Sequence, residues 1–201
     1  MPRRYSMANR AEATERTRKR IEAALIRLLA ARPYNSITIV DIAAEADVAV
    51  RTVQRHYRTK DELLAAAFRA AAETISEEVS KLPPAQSGRD ALRHIVHAAF
   101  TLYERYKTES WAVYSRAAEV PELRDTARAG LASREARIDE LLARWPDAWS
   151  IETATARRLI LSLTSFPAWR SFTEPGRFSP AEAVAEVAEI LCQRLLRPAG
   201  S

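Results

Sequence analysis

Apolar residues recur at helical spacing along most of this 201-residue chain, and no stretch alternates apolar and polar residues over the length of a strand. The first segment is typical, with Ile21, Ala24, Leu25, Leu28 and Leu29 on one helical face. Prolines and helix-capping residues divide the pattern into about nine segments. The sequence therefore predicts an all-α fold of about nine helices.

Two of the predicted helices are short and lie close together near the N-terminus. Thr38 and Asp41 have the spacing of a helix-capping pair and open the first of them. Residues 47–49 interrupt the pattern, and a second short helix runs to about Tyr57. Two short helices joined by a turn of three or four residues are typical of a DNA-binding helix-turn-helix, here over about residues 38–57.

Composition excludes several other classes of function. Only four glycines are present, and neither G-x-G-x-x-G nor a Walker pattern occurs, so we expect no nucleotide-binding loop. Cys192 is the single cysteine, and His94 and His97 lack a third ligand, so we predict no metal, no cofactor and no catalytic residues. The chain has no apolar run long enough to cross a membrane and no signal peptide, which indicates a cytoplasmic protein without a membrane partner.

The positive charge is concentrated in the first third of the chain. Residues 1–68 hold 13 basic and 8 acidic side chains, whereas residues 69–201 hold 18 of each. A basic end joined to a neutral body favours contact with a polyanion at that end. Residues 21–68 are themselves balanced, six against six, so the excess lies in the segment up to Arg20.

The second short helix carries the side chains that suit the reading of base pairs. Arg51, Thr52 and Gln54 lie at its N-terminal half, which enters the major groove in this motif. Arginine and glutamine have paired hydrogen-bonding atoms that match guanine and adenine. Val50 is placed to contact a thymine methyl group.

Other residues of the motif are placed to contact the DNA backbone. Thr38 lies at a helix start, and Lys60 lies at the start of the next long helix, where its charge suits a phosphate. His56 is a further donor. The complete predicted DNA-binding set is Thr38, Val50, Arg51, Thr52, Gln54, Arg55, His56, Tyr57 and Lys60.

Residues 38–64 (TIVDIAAEADVAVRTVQRHYRTKDELL) resemble the DNA-binding domain of the tetracycline-repressor (TetR) family of bacterial transcription regulators. The shared features are the opening Thr38, D-I-A in the first short helix, Val48 in the turn, H-Y at the end of the second, and T-K-x-E-L at the following helix. The resemblance implies a homodimer, an operator with two half-sites, and a C-terminal pocket whose ligand releases the protein from DNA.

The motif departs from the family pattern at three positions. Asp47 stands where members usually have glycine, and aspartate tolerates the left-handed conformation of that turn better than most residues. Gln54 replaces a common tyrosine, and Arg51 replaces a small residue or proline. The scaffold of the motif is therefore expected to be kept, while the base preference of relatives cannot be transferred.

The sequence predicts a flexible basic arm over residues 1–11, a DNA-binding domain over 12–68 and a ligand-binding and dimerisation domain over 69–201. Aromatic residues at helical spacing are ordinarily core residues, but an aromatic cavity between helices can also bind a small molecule. By analogy with the family pocket, we predict an apolar or aromatic effector bound by Phe100, Tyr103, Trp111, Tyr114, Phe166 and Trp169. The apolar last two helices, about 152–171 and 181–196, are predicted to form the dimer.

These features predict a ligand-responsive, sequence-specific transcription regulator, and specifically a repressor released from its operator by a small molecule. Two alternatives belong to other classes. One is a helical enzyme that binds a small molecule, although no carboxylate pair, triad or metal set converges in the sequence. The other is an architectural protein that binds DNA without sequence preference, which the single short polar helix disfavours.

Overall fold

The computed structural model describes residues 3–81, 84–174 and 178–198, and over these ranges it confirms the all-α prediction. These residues contain ten α-helices and two short 3-10 turns, and their only β-type pairing is an isolated antiparallel bridge between Trp149 and Leu196. The helices are α1 (Arg3–Ala31), α2 (Ile39–Glu45), α3 (Val50–His56), α4 (Lys60–Ser80), α5 (Gly88–Arg105), α6 (Lys107–Arg116), α7 (Pro121–Arg144), α8 (Thr153–Leu163), α9 (Phe166–Thr173) and α10 (Pro180–Leu195).

The starts of α2 and α10 carry complete capping boxes. Thr38 pairs with Asp41, and Ser179 pairs with Glu182. Ser150 precedes α8, which begins at Thr153 without a side-chain cap, because the Ser150 hydroxyl donates to the carbonyl of Leu195 at 3.2 Å.

The N-terminal segment differs from the predicted flexible arm. Helix α1 begins at Arg3, so residues 3–11 are helical and continue the helix expected from about residue 12. No proline or glycine occurs between Arg3 and Ala31. The hydroxyls of Thr14 and Thr17 donate to carbonyls one turn earlier, as they do in a regular helix.

The chain divides into two compact units that share three helices. The first unit comprises residues 1–70 and 111–126, and the second comprises residues 71–110 and 127–201. The predicted domain boundary after residue 68 lies close to residue 70, but residues 111–126, which the sequence assigned to the C-terminal domain, group with the first unit. Helices α4, α6 and α7 each contribute residues to both units.

Each unit has its own apolar core. In the first, α1 packs on α2 and α2 on α3, which buries Ile21, Leu25, Ile42 and Val53 completely. In the second, α10 packs against α5, α8 and α9. None of the described helices is sufficiently long and apolar to cross a membrane.

Candidate DNA-binding surface

The turn between α2 and α3 has the tight geometry that a helix-turn-helix requires. Asp47 has φ of 51°, the only positive φ of a non-glycine residue in the described ranges. The backbone N–H of Val48 then donates to the carbonyl of Ala43 at 3.0 Å. The left-handed conformation expected at Asp47 from the sequence is confirmed.

The outer face of α3 carries polar side chains that the protein itself does not use. Arg51, Gln54 and Arg55 are exposed and lie three and four residues apart, which places them on one face. None of the three has a hydrogen-bond or ion-pair partner among the described residues. Thr52 is half-buried, and Val50 packs partly against the core of the first unit. Arg51 and Gln54, which the sequence predicts to read bases, therefore lie on one exposed face, and their donors have no partner among the described residues.

The last two residues of the motif face inward. Tyr57 is 5% exposed, and its hydroxyl donates to Oε1 of Glu22 on α1 at 2.5 Å. His56 is half-buried, and its Nε2 is buried without a hydrogen-bond partner in the structure. Burial, followed by the charges of Arg55 and Arg18, lowers the pKa of His56. The structure thus places both of these predicted DNA contacts in the scaffold behind the exposed face.

Thr38 and Lys60 lie on the same side of the motif but are largely engaged within it. The Thr38 hydroxyl donates to the Asp41 carboxylate at 2.7 Å and accepts the Asp41 N–H at 3.2 Å. The Thr38 hydroxyl and the Thr38 backbone N–H both donate to the Asp41 carboxylate at 2.7 Å, and together with Arg32 they lower the pKa of Asp41 to about 2. Lys60 Nζ donates to the carbonyls of Tyr34 and Ile37 at 2.8 and 2.7 Å, so one of its three protons remains for a phosphate.

Basic residues of α1 bond to acidic side chains and backbone carbonyls within the first unit. Arg18 bonds Glu15 and the buried Glu22, and Arg20 donates to the backbone carbonyls of Ala46 and Asp47 in the turn. Arg27 pairs with Glu45 at the end of α2. Part of the N-terminal positive charge that the sequence assigned to DNA is therefore neutralised inside the first unit. The charge count could not reveal this, because it does not show which acids and carbonyls lie within reach.

Comparison with known proteins agrees with this geometry. Residues 21–67 match the family model described as "Bacterial regulatory proteins, tetR family". The chain carries a TetR-family DNA-binding domain. It is accordingly a DNA-binding transcription regulator, and the resemblance noted for residues 38–64 is confirmed. No curated protein sequence shows a significant match.

Solved structures share the TetR-type fold over most of the chain. A transcriptional regulator from Rhodococcus sp. Rha1 is 23% identical, with a TM-score of 0.73 over 90% of this chain and 99% of that chain. A tetR-family regulatory protein from Rhodococcus RHA1 is 24% identical, with a TM-score of 0.65 over 90% and 98% of the two chains. A Saccharomonospora viridis structure in complex with choline is 18% identical, with a TM-score of 0.71 over 92% and 100%.

Beside the TetR-type motif, a polar cluster ties α4 and α6 to the segment that precedes α2. The Tyr34 hydroxyl donates to Asp61 at 2.7 Å, and the guanidinium of Arg116 on α6 lies 3.3 Å from the same carboxylate. Arg116 and Lys60 also lie over the Tyr34 ring, at 5.4 and 4.1 Å from its centroid. Sequence reasoning missed Tyr34, Asp61 and Arg116, since residues so far apart show no common spacing.

The predicted effector-binding residues fall into two groups. Phe100, Tyr103, Phe166 and Trp169 are buried in the core of the second unit, each between 1% and 7% exposed. The rings of Phe166 and Trp169 stack with centroids 5.4 Å apart, and Tyr103 meets Phe166 edge-on at 5.4 Å. Trp111 and Tyr114 are instead exposed on the part of α6 that belongs to the first unit.

The remaining candidates of the sequence lie apart from both regions. Cys192 is buried in the core of the second unit, where burial raises the pKa of its thiol. His94 is half-buried and His97 is exposed on α5. In the part of the chain that the structure describes, no group of three or more His, Cys, Asp and Glu side chains is arranged to hold a metal ion.

Proposed function

We propose that this protein is a dimeric, sequence-specific repressor that a small molecule releases from its operator. The observation that carries the proposal is the α3 face, where Arg51, Gln54 and Arg55 are exposed and unpaired among the described residues. Such donors contribute nothing to the packing of the first unit, and they match the hydrogen-bonding edges of guanine and adenine.

The backbone contacts of the proposed complex come from the rim of this face. Lys60 keeps one donor beyond the two carbonyls it bonds, and Arg58 is exposed directly after α3. Thr38 shapes the start of α2 through its capping box, and we assign its DNA contact to the same phosphate-facing edge. Phosphate contacts add affinity without sequence preference, so these residues complement Arg51 and Gln54.

The experiment is a fluorescence-anisotropy titration of the protein with an operator selected from random DNA. Arg51→Ala is expected to weaken operator binding about 10- to 100-fold and to relax the preference at one base position. Lys60→Gln is expected to weaken binding to operator and random DNA alike, and to reduce the salt slope by about one. Arg93→Ala, which removes an exposed arginine of the second unit, is the control and is expected to change neither.

Three results would overturn the proposal. Equal and weak affinity for selected and random DNA would indicate an architectural protein instead of a sequence-specific one. A footprint without two related half-sites would contradict the dimeric arrangement, which places half-site centres about 34–36 Å apart. Constitutive expression of a reporter placed behind the selected operator, whether the protein is present or absent, would contradict repression.

Release by a small molecule is the part of the proposal that concerns the second unit. Its buried aromatic cluster (Phe100, Tyr103, Phe166 and Trp169) is apolar, and we assign the ligand site to it. The Saccharomonospora viridis regulator of similar fold was crystallised in complex with choline, and we extend small-molecule binding to this chain and assign it to the second unit. A ligand that binds one conformation more tightly shifts the population toward it, which is how binding can change DNA affinity.

A further inference from the structure

The aromatic cluster of the second unit is bordered by a guanidinium that has no counter-charge. Arg134 on α7 is half-buried and donates to the carbonyl and hydroxyl of Thr164 at 2.7 and 2.6 Å, and to the Tyr103 hydroxyl at 3.3 Å. All three acceptors are uncharged. No carboxylate of the described residues pairs with Arg134, unlike Arg157 on α8, which bonds Asp139 at 2.6 Å.

The same cluster contains a buried donor without a hydrogen-bond partner. Trp169 is 1% exposed, and its indole Nε1 has no hydrogen-bond partner in the structure. Leaving a buried donor unpaired is unfavourable, so such donors are uncommon unless something else satisfies them. The centroids of the Trp169 and Tyr103 rings lie 6.1 Å apart, and the Tyr103 hydroxyl accepts from Arg134, so Tyr103 adjoins both residues.

The charged side chains around the cluster favour a negatively charged ligand. Besides Arg134, Lys107 lies 5.9 Å from the centroid of the Trp169 ring, where it pairs with Glu174. A cation entering this cluster would be desolvated beside an uncompensated guanidinium, whereas an anion would supply the missing counter-charge. Glu109 is buried in the same unit, where burial raises the pKa of its carboxyl, and it forms no ion pair with Arg134 in the described part of the chain.

We infer that the effector of this protein is an aromatic carboxylate, with its ring among Tyr103, Phe166 and Trp169 and its carboxylate paired with Arg134. The carboxylate also accepts the Trp169 N–H, since a guanidinium and an indole N–H are both donors. Phe166 and Trp169 stack in the core of the second unit, and the inference places the planar ring of the ligand beside this pair. This inference rests on the proposed ligand response and assigns the chemical class of its ligand.

The test is isothermal titration calorimetry of the full-length protein, without DNA, using three probes of similar ring shape and different charge. Naphthoate is anionic, naphthamide is its neutral counterpart and naphthylmethylammonium is cationic. We expect naphthoate to bind at least tenfold more tightly than either of the other probes. Equal binding of naphthoate and naphthamide, tighter binding of the cation, or no binding of naphthoate in the millimolar range would each overturn the inference.

Variants of the protein then test where the carboxylate of naphthoate binds. Arg134→Gln is expected to weaken naphthoate binding about 10- to 100-fold while leaving naphthamide binding unchanged, and Arg134→Lys to retain part of the affinity. Trp169→Phe keeps the ring and removes the N–H, with an expected loss of several-fold. Arg137→Gln, three residues further along α7 and exposed, is the matched control. Unchanged naphthoate affinity in folded Arg134→Gln and Arg134→Lys would overturn the assignment.

The same probes added to the protein–operator complex separate this inference from the proposed function. If naphthoate binds through Arg134 but leaves operator affinity unchanged, the ligand class stands and release from DNA is wrong. If naphthamide or the cation releases the operator and naphthoate does not, release stands and the ligand class is wrong.

Discussion

Asp47 shows how one residue accommodates a backbone conformation that most side chains disfavour. Its φ of 51° is the left-handed geometry required between α2 and α3. Arg20 donates to the carbonyls of Ala46 and Asp47, and a substitution at position 47 would leave these bonds in place. It would remove only the 3.4 Å contact between Arg20 and the fully exposed Asp47 carboxylate. The identity of the residue at position 47 therefore acts mainly through conformational strain.

Replacing Asp47 with alanine is expected to lower the free energy of unfolding by about 1 kcal/mol, because alanine pays the steric cost of a positive φ. Asp47→Gly removes that cost and is expected to remain within about 0.5 kcal/mol of the parent, since its greater freedom in the unfolded chain offsets part of the gain. Urea unfolding of the two variants measures the difference. A more stable alanine variant would show that strain does not govern this turn.

We expect His56 to make the stability of the first unit fall at acid pH. Burial and the charges of Arg55 and Arg18 lower its pKa in the folded protein, so folding favours the neutral ring. Its contribution to stability is therefore complete above the unfolded pKa of about 6.5 and is lost as the pH falls through the lower, folded pKa.

We expect His56→Gln to flatten the decline in unfolding free energy between about pH 7 and about pH 5. Urea unfolding across this range, with exposed His97→Gln as the control, provides the measurement. If the unfolding free energy of both variants declines with falling pH as steeply as that of the parent, His56 is not the acid-sensitive group.

At the scale of the helix, the position of α3 depends on its contacts with α2 and α1. It is only seven residues long and has no side-chain cap, and isolated helices of that length are unstable. Val53 is fully buried, and Tyr57, just after the helix, bonds the buried Glu22 of α1. These inward contacts fix the helix so that its outer face can remain polar.

Tyr57→Phe is expected to lower stability by about 1–3 kcal/mol, because Glu22 then keeps only its bond to Arg18 in a buried position. Affinity of the folded variant for operator DNA is expected to stay within about twofold of the parent. Denaturant unfolding and anisotropy together decide the role of Tyr57. A tenfold loss of DNA affinity with unchanged stability would support the direct contact predicted from sequence.

At the scale of the whole molecule, the proposed dimer places two α3 helices on one DNA face. The proposed interface uses α10 and the helix predicted over about 152–171, which the structure divides into α8 and α9. On these helices Ile190 is 42% exposed, and Leu159 and Val184 are half-buried. An exposed isoleucine beside partly covered apolar residues favours burial against a second copy related by twofold symmetry.

Ile190→Glu is expected to convert the dimer to a monomer and to reduce operator affinity at least tenfold, because two half-sites are then bound independently. Light scattering coupled to gel filtration measures the mass. Leu131→Glu, which alters a similarly exposed apolar residue on α7 (46%), is the control. A monomeric parent protein, or a dimer lost in the control and kept in Ile190→Glu, would contradict this interface.

The sequence by itself determined the helical class, the position of the helix-turn-helix, the left-handed turn at Asp47 and the exposed face of Arg51, Gln54 and Arg55. These features are local, because periodicity, capping spacing and turn chemistry act over a few residues. Only the tertiary structure decided which charged side chains are free. Arg18 and Arg20 are engaged within the first unit, whereas Arg134 has no carboxylate partner among the described residues. Such pairing depends on distances between residues far apart in the chain, and neither composition nor sequence spacing gives these distances.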